Sequence, residues 1–202
     1  MGVGLFNIFI PLMPNMLNEK RAFYCVFMVF ISIFSTSCTQ ENISNDKVIY
    51  YFDLAEFYKA EAARLQAVKP VVKKAVMLNG KTEEQQLTIN DWNNEFLTFS
   101  DADINKSAYV GKYTTDTLFV NNKIRKISYR ANEKKLKTRL LEVEFDTIAQ
   151  TPEHIHLMIE TKNTLYHSFQ TLHYWKNKSY SVEGRQEIRL LNPDVFKVQV
   201  NF

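Results

Sequence analysis

Apolar residues recur at helical spacing in two short stretches and then, from Tyr109 onward, alternate with polar residues to the end of the chain. Asp53 opens the first stretch, with Glu56 three residues on as a capping-box-like pair and Phe52 and Phe57 placed as a hydrophobic staple. Leu54, Phe57, Tyr58, Ala62 and Leu65 share one face of the predicted helix, and Lys59, Glu61 and Arg64 are directed away from it. The helix ends before Pro70, and its polar face is not enriched in cations, which favours packing on a core over lying on a membrane. Val71 to Leu78 and Lys81 to Ile89 flank Asn79-Gly80, whose residues suit the positive φ of a type I′ turn, so a β-hairpin is expected with a polar, exposed second arm. Ile89, Trp92, Phe96 and Phe99 then recur at three and four, predicting a second helix over 89–100.

The period-two region predicts strands at about 109–120, 124–131, 137–146, 154–161, 165–175, 179–191 and 195–202. Polar turns such as Asn121-Asn122-Lys123 and Asn192-Pro193-Asp194 separate them. Short connections and one-sided strands imply an antiparallel meander. The expected fold class is α+β: two N-terminal helices and a hairpin packed on a curved antiparallel sheet of about seven further strands.

The first part of the chain has a different pattern. Asn18-Glu19-Lys20-Arg21 precedes the apolar run Ala22 to Phe34, which is followed by Ser35-Thr36-Ser37-Cys38. At a rise of about 1.5 Å per residue the run reaches only about 20 Å, short of a hydrocarbon core of about 30 Å and typical of a signal-peptide apolar region. On Lys20, Arg21, the apolar run and the small residues before Cys38, the segment resembles the signal of the bacterial lipoprotein class. Ser35 stands where that class usually has leucine. The resemblance implies cleavage before Cys38, acylation of its thiol, and membrane attachment through that lipid. It divides the chain into a signal peptide over 1–37, a polar tether over 38–47 and one domain over 48–202. Pro11 and Pro14 interrupt an uncharged apolar stretch unlike any signal's basic start, so translation is expected to begin at Met16.

Composition narrows the chemistry. Cleavage before Cys38 discards Cys25, leaving no free thiol and no disulfide in the mature chain. It also lowers the formal charge from +3 to +2, because only Glu19, Lys20 and Arg21 among the charged residues are lost. Near-neutrality gives no argument for nucleic acid as a partner. A domain of roughly 150 residues buries about 68 to 70% of its unfolded surface and needs no covalent staple. Only Gly80, Gly111 and Gly184 remain, too few for a phosphate-cradling loop, and no cofactor is expected.

Three groups of side chains are candidates for chemistry. His154 and His156 share a strand face, with His167, His173 and Glu160 conceivable as further ligands on neighbouring strands, but the spacing alone assigns no metal site. Lys123, Arg125, Lys126, Arg130, Lys134, Lys135, Lys137 and Arg139 form a dense basic cluster with Glu133 as the only acid among them. It is a candidate surface for anionic head groups, phosphorylated glycolipid or an acidic partner, set against the plainer reading of strand edges guarded by lysine. The strand 165–175 has no wholly polar face, so the sheet is either covered on both sides or curved around an apolar cavity. Acid pairs such as Glu83-Glu84, Asp101-Asp103 and Glu142-Glu144 fix no separation across a cleft, and no nucleophile motif stands out, so no catalytic residue is assigned.

The mature segment resembles small outer-membrane lipoproteins of unassigned function, on Tyr51-Phe52-Asp53-Leu54, Leu78-Asn79-Gly80-Lys81, Asp91 to Phe96 and Asp103 to Tyr109. The resemblance implies a similar domain at the outer membrane and transfers no catalytic residue; Thr39 after Cys38 also lacks the aspartate that retains some lipoproteins in the inner membrane. The expected role is a lipid-anchored, non-catalytic domain that binds an envelope partner or assists envelope assembly. A carrier for a lipid or other apolar ligand is the alternative, and a hydrolase the third reading. The sequence leaves periplasmic or surface display and the oligomeric state open.

Overall fold

The computed structural model describes residues 49–202, and the signal, Cys38 and the whole of the tether lie outside the described residues. Asp53 caps helix α1 (Leu54–Val68) by accepting the Glu56 N–H at 3.1 Å, and the rings of Phe52 and Phe57 meet at 5.8 Å as a staple. Before Pro70 the helix stops at Lys69, which turns left-handed at φ 48° and donates its N–H to the Leu65 carbonyl. Strands β1 (Val71–Leu78) and β2 (Lys81–Thr88) follow, joined by Asn79 and Gly80 at φ 50° and 84°, the pair of positive angles that a type I′ turn needs.

The second helix is broken. Asp91 caps α2 (Trp92–Glu95), and Phe96 separates it from α3 (Leu97–Ser100). Trp92, Phe96 and Phe99 nonetheless all reach the core, where each is almost wholly buried. A short 3₁₀ turn (Ser107–Tyr109) leads into β3 (Tyr113–Val120), which therefore starts four residues later than the alternation suggested. Strands β4 (Lys123–Ala131), β5 (Thr138–Phe145), β6 (Pro152–Lys162), β7 (Tyr166–Trp175), β8 (Ser179–Ile188) and β9 (Asp194–Asn201) complete the chain.

All nine strands form one open antiparallel sheet in the order β2-β1-β9-β8-β7-β6-β5-β4-β3. The expected class holds broadly, but the hairpin is part of the sheet rather than packed on it. β1 pairs with β9 from Lys73↔Asn201 to Leu78↔Phe196, so the strand count is nine. Backbone donors along Val71–Leu78 have β2 on one side only, and β9 supplies the other.

The helices cover one face of this sheet. Between them lies an aromatic layer in which Tyr58 meets Phe96, Phe99 and Tyr174 at 4.9 to 5.6 Å, and Tyr180 meets Phe96, Phe99 and Phe202. These rings pack into the hydrophobic core between the helices and the sheet. Glu61 departs from its expected outward position: it is 5% exposed and accepts a hydrogen bond from the Tyr174 hydroxyl while Arg64 holds its other side. Glu95 of α2 does the same for Tyr180, with Lys74 at 2.7 Å. Tyr174 and Tyr180 are direct cross-strand partners on β7 and β8, so two helix carboxylates fasten to one pair of phenols.

The entering chain is fixed separately. Asn105 Oδ1 accepts the N–H groups of Tyr50 and Tyr51, its amide donates to the Phe52 carbonyl, and the Tyr51 hydroxyl donates to the Tyr109 carbonyl. Among the described residues no helix is long and apolar enough to cross a membrane.

Candidate functional site

In an antiparallel meander, alternate connections leave the sheet at the same end. The β4–β5 and β6–β7 connections do so here, and β5 and β6 are adjacent, with Thr138 opposite Ile159. This brings Lys134, Lys135, Lys137 and Arg139 against Glu160, Thr161 and Lys162 around a pocket of about 520 Å³. Bulges in the β5–β6 register at 138–140 set the mouth of the pocket beside irregular backbone, where side chains are re-aimed.

The cations of this pocket are not equivalent. Arg139 donates to the Glu133 carbonyl at 2.6 Å and lies 3.7 Å from Glu160, while Lys135 pairs with Glu133 at 2.8 Å. The hydrogen bonds from Lys135 and Lys112 hold the Glu133 carboxyl below its ordinary pKa. Lys134, Lys137 and Lys162 have no ion-pair partner among the described residues. Three lysines without an ion-pair partner thus line one concavity in which Glu160 is the one acidic lining residue. Glu160 itself is shared with His167 at 3.0 Å and Arg139.

The structure splits the basic cluster read from the sequence. Lys134, Lys135, Lys137 and Arg139 come together at the pocket, whereas Arg125 and Lys126 sit at β5 acids on the other half of the sheet. Arg125 bridges Glu144 and Glu153 and donates to the Phe145 carbonyl, and Lys126 pairs with Glu142. Lys123 and Arg130 lie on β4 away from the pocket lining. Lys162 was missed, being far from the cluster in sequence; only the β5–β6 pairing delivers it.

On the sheet face opposite the helices, His154, His156 and His173 form a stack with Trp175. His156 and His173 rings lie parallel at 4.4 Å, and His154 stacks on Trp175 at 4.9 Å. His154 Nε2 and His173 Nδ1 share a hydrogen bond at 3.1 Å, and His156 Nδ1 meets Glu142 at 3.1 Å. Burial and the neighbouring His156 and His154 push the His173 pKa down to about 4, and burial first lowers that of His154. His167 is elsewhere, on Glu160. Among the described residues no three His, Cys, Asp or Glu side chains converge as metal ligands.

Compared with known proteins, the chain matches no family model, no curated protein and no solved structure. The basic pocket can hold an anion of several charges: the lysines supply strong point donors, and Thr161 and the nearby backbone can add neutral ones.

Proposed function

We propose that this chain is a lipid-anchored, non-catalytic binding domain, attached through acylated Cys38 at the outer membrane, whose basic pocket takes an anionic group carried by an envelope partner. The observation that carries the reading is the convergence of unpaired Lys134, Lys137 and Lys162 on one pocket. Gathering like charges without acid partners costs folding stability through mutual repulsion, and an anionic ligand offsets that cost on binding. The aromatic filling beneath the helices supports a docking domain over a carrier.

The test of binding is a titration of the full chain in detergent with inorganic pyrophosphate, followed by calorimetry. Saturable binding that weakens with salt and is abolished by Lys137→Glu with Lys162→Glu is expected. Binding that is unchanged in that double variant would remove the pocket from the account. The anchor is tested in cells by labelled fatty acid, which should appear on the protein and be lost in Cys38→Ala.

A further inference from the structure

The basic pocket is one half of a larger surface at the same end of the sheet. Its lining stops at Lys162, and the next residue, Asn163, begins the lining of a second concavity of about 400 Å³ that includes Leu165, Ile188 and Leu191. The β6–β7 turn and the β8–β9 loop build this part together, tied by the Arg189 N–H donating to the Leu165 carbonyl at 2.9 Å. At its tip Leu190 is 96% exposed, Leu191 66% and Leu165 63%. Leu190 also sits at φ 71°, in the left-handed region that a bulky residue rarely adopts. Glycine or asparagine would occupy that position without strain, yet the chain holds a leucine there and projects it into solvent.

We propose that this end of the sheet docks on an anionic lipid bilayer, with Leu190, Leu191 and Leu165 entering the head-group boundary and Lys134, Lys137 and Lys162 resting on the anionic surface. The inference deepens the binding reading above by naming the partner as a membrane surface. Apolar tips flanked by cations are the pattern of an interfacial contact, in which buried apolar area and attraction to anionic lipid act together. The cations without acid partners make the charge complementarity with anionic lipid explicit, and Arg189 adds one more between the two halves. Of the acids near this end, Glu160 pairs with Arg139 and His167, Glu187 with Arg185, and Glu133 with Lys112 and Lys135, while Asp194 accepts a hydrogen bond from the Asn79 side-chain amide. The place where the chain enters the domain agrees with this orientation. Tyr51 is hydrogen-bonded to Tyr109 and Gly111 just before β3 begins, at the end of the sheet that carries the lysines. Residues 39–47 can span at most roughly 30 Å when fully extended, so a lipid on Cys38 would hold the domain close to a bilayer.

The experiment places a reporter at the tip in the full chain. Leu190→Trp is reconstituted into vesicles of phosphatidylcholine alone or with one part in three of phosphatidylglycerol, with Ile148→Trp in the β5–β6 connection, at the opposite end of the sheet and 85% exposed, as the control. With phosphatidylglycerol present, the added emission at 190 should move to shorter wavelength and be quenched by brominated lipid chains, and the control should not change. Salt should reverse the effect, and each cation neutralised among Lys134, Lys137 and Lys162 should weaken it by about fivefold. Equal signals at 190 in the two kinds of vesicle, or equal changes at 148, would overturn the proposal. Pyrophosphate titration of the same preparations separates the two readings. Saturable pyrophosphate binding without insertion leaves the pocket as an anion site and removes the membrane, and insertion without pyrophosphate binding keeps the membrane and removes the discrete pocket. Loss of both signals defeats the two together.

Discussion

Replacing Glu61 by alanine removes the acceptor on which the fit of α1 to the sheet depends. The carboxylate is 5% exposed, with Tyr174 on one side and Arg64 Nε at 3.0 and 3.1 Å on the other. Truncation leaves the buried Tyr174 hydroxyl without a partner, a cost of about 1 to 3 kcal/mol. Arg64 is 39% exposed and can turn to water, so its loss adds little and the full penalty for a broken buried ion pair does not apply. A further loss of about 1 kcal/mol comes from the emptied volume. Glu61→Ala should therefore destabilise by about 2 to 4 kcal/mol, measured by urea unfolding. Tyr58→Phe is the control, because the Tyr58 hydroxyl is buried with no hydrogen-bond partner and its removal should be neutral or stabilising. Glu61→Leu with Tyr174→Phe should recover most of the loss, since neither polar group is then stranded. The pH dependence has a definite sign. Burial acts to raise the Glu61 pKa, but the bonds from Arg64 and Tyr174 outweigh it and the folded value is lowered. The contribution is thus fully present above the ordinary value of 4.5 and is lost as pH falls below it, a decline that Glu61→Gln should lack. A double variant no more stable than Glu61→Ala, or an identical acid limb in Glu61→Gln, would refute the account.

Two other substitutions test the sheet. His173 titrates at about 4 in the folded chain and at 6.5 otherwise, so stability should fall as pH drops from 6.5 toward 4, by on the order of 1 kcal/mol after solvent screening. His173→Gln should flatten thermal midpoints across that window; an unchanged slope would assign it to other groups. Gly184→Ala places a methyl group 2.6 Å from the Phe169 carbonyl and 3.0 Å from the Phe196 ring that covers it. It should cost about 1 to 3 kcal/mol in chemical denaturation, and Phe196→Leu in the same chain should relieve part of that loss.

Local chemistry in this chain could be read from the sequence, and long-range placement could not. Asp53, the staple and Asn79-Gly80 act within a few residues, so spacing alone located the helix start and the turn. Period two placed His154 and His156 on one face, yet only the β6–β7 register sets His156 opposite His173 and His154 opposite Trp175. The pocket has the same character: a local cluster supplies Lys134 and Lys137, and strand pairing supplies Lys162. Glu61 was legible and was misassigned. At 100° per residue it lies about 20° from Leu54 and about 40° from Leu65, in the middle of the apolar stripe. Its charge points outward while its angle points inward, and the buried Tyr174 hydroxyl that makes the inward position tolerable lies 113 residues away. The helix expected over 89–100 is interrupted at Phe96, although Trp92, Phe96 and Phe99 keep the shared face that their spacing of four and three predicts.

The pairing of β1 with β9 sets an order of events in time. Lys73 and its partner Asn201 are separated by most of the domain, so the strand near the beginning cannot be completed until almost the last residue has been made. At about 5 to 20 residues per second that is a wait on the order of ten seconds. During it, β1 has β2 along one edge and nothing along the other, and the chain Val71-Val72-Lys73-Lys74-Ala75-Val76-Met77-Leu78 is an apolar edge open to any stray strand. Lys73 and Lys74 interrupt that edge with charge, deterring wrong pairings while the chain is young. In the finished fold the same two lysines turn to Glu84 and Glu95. A safeguard of the nascent chain thus becomes a fastening of the mature one, and a chain ended before β9 would keep the exposure without the closure.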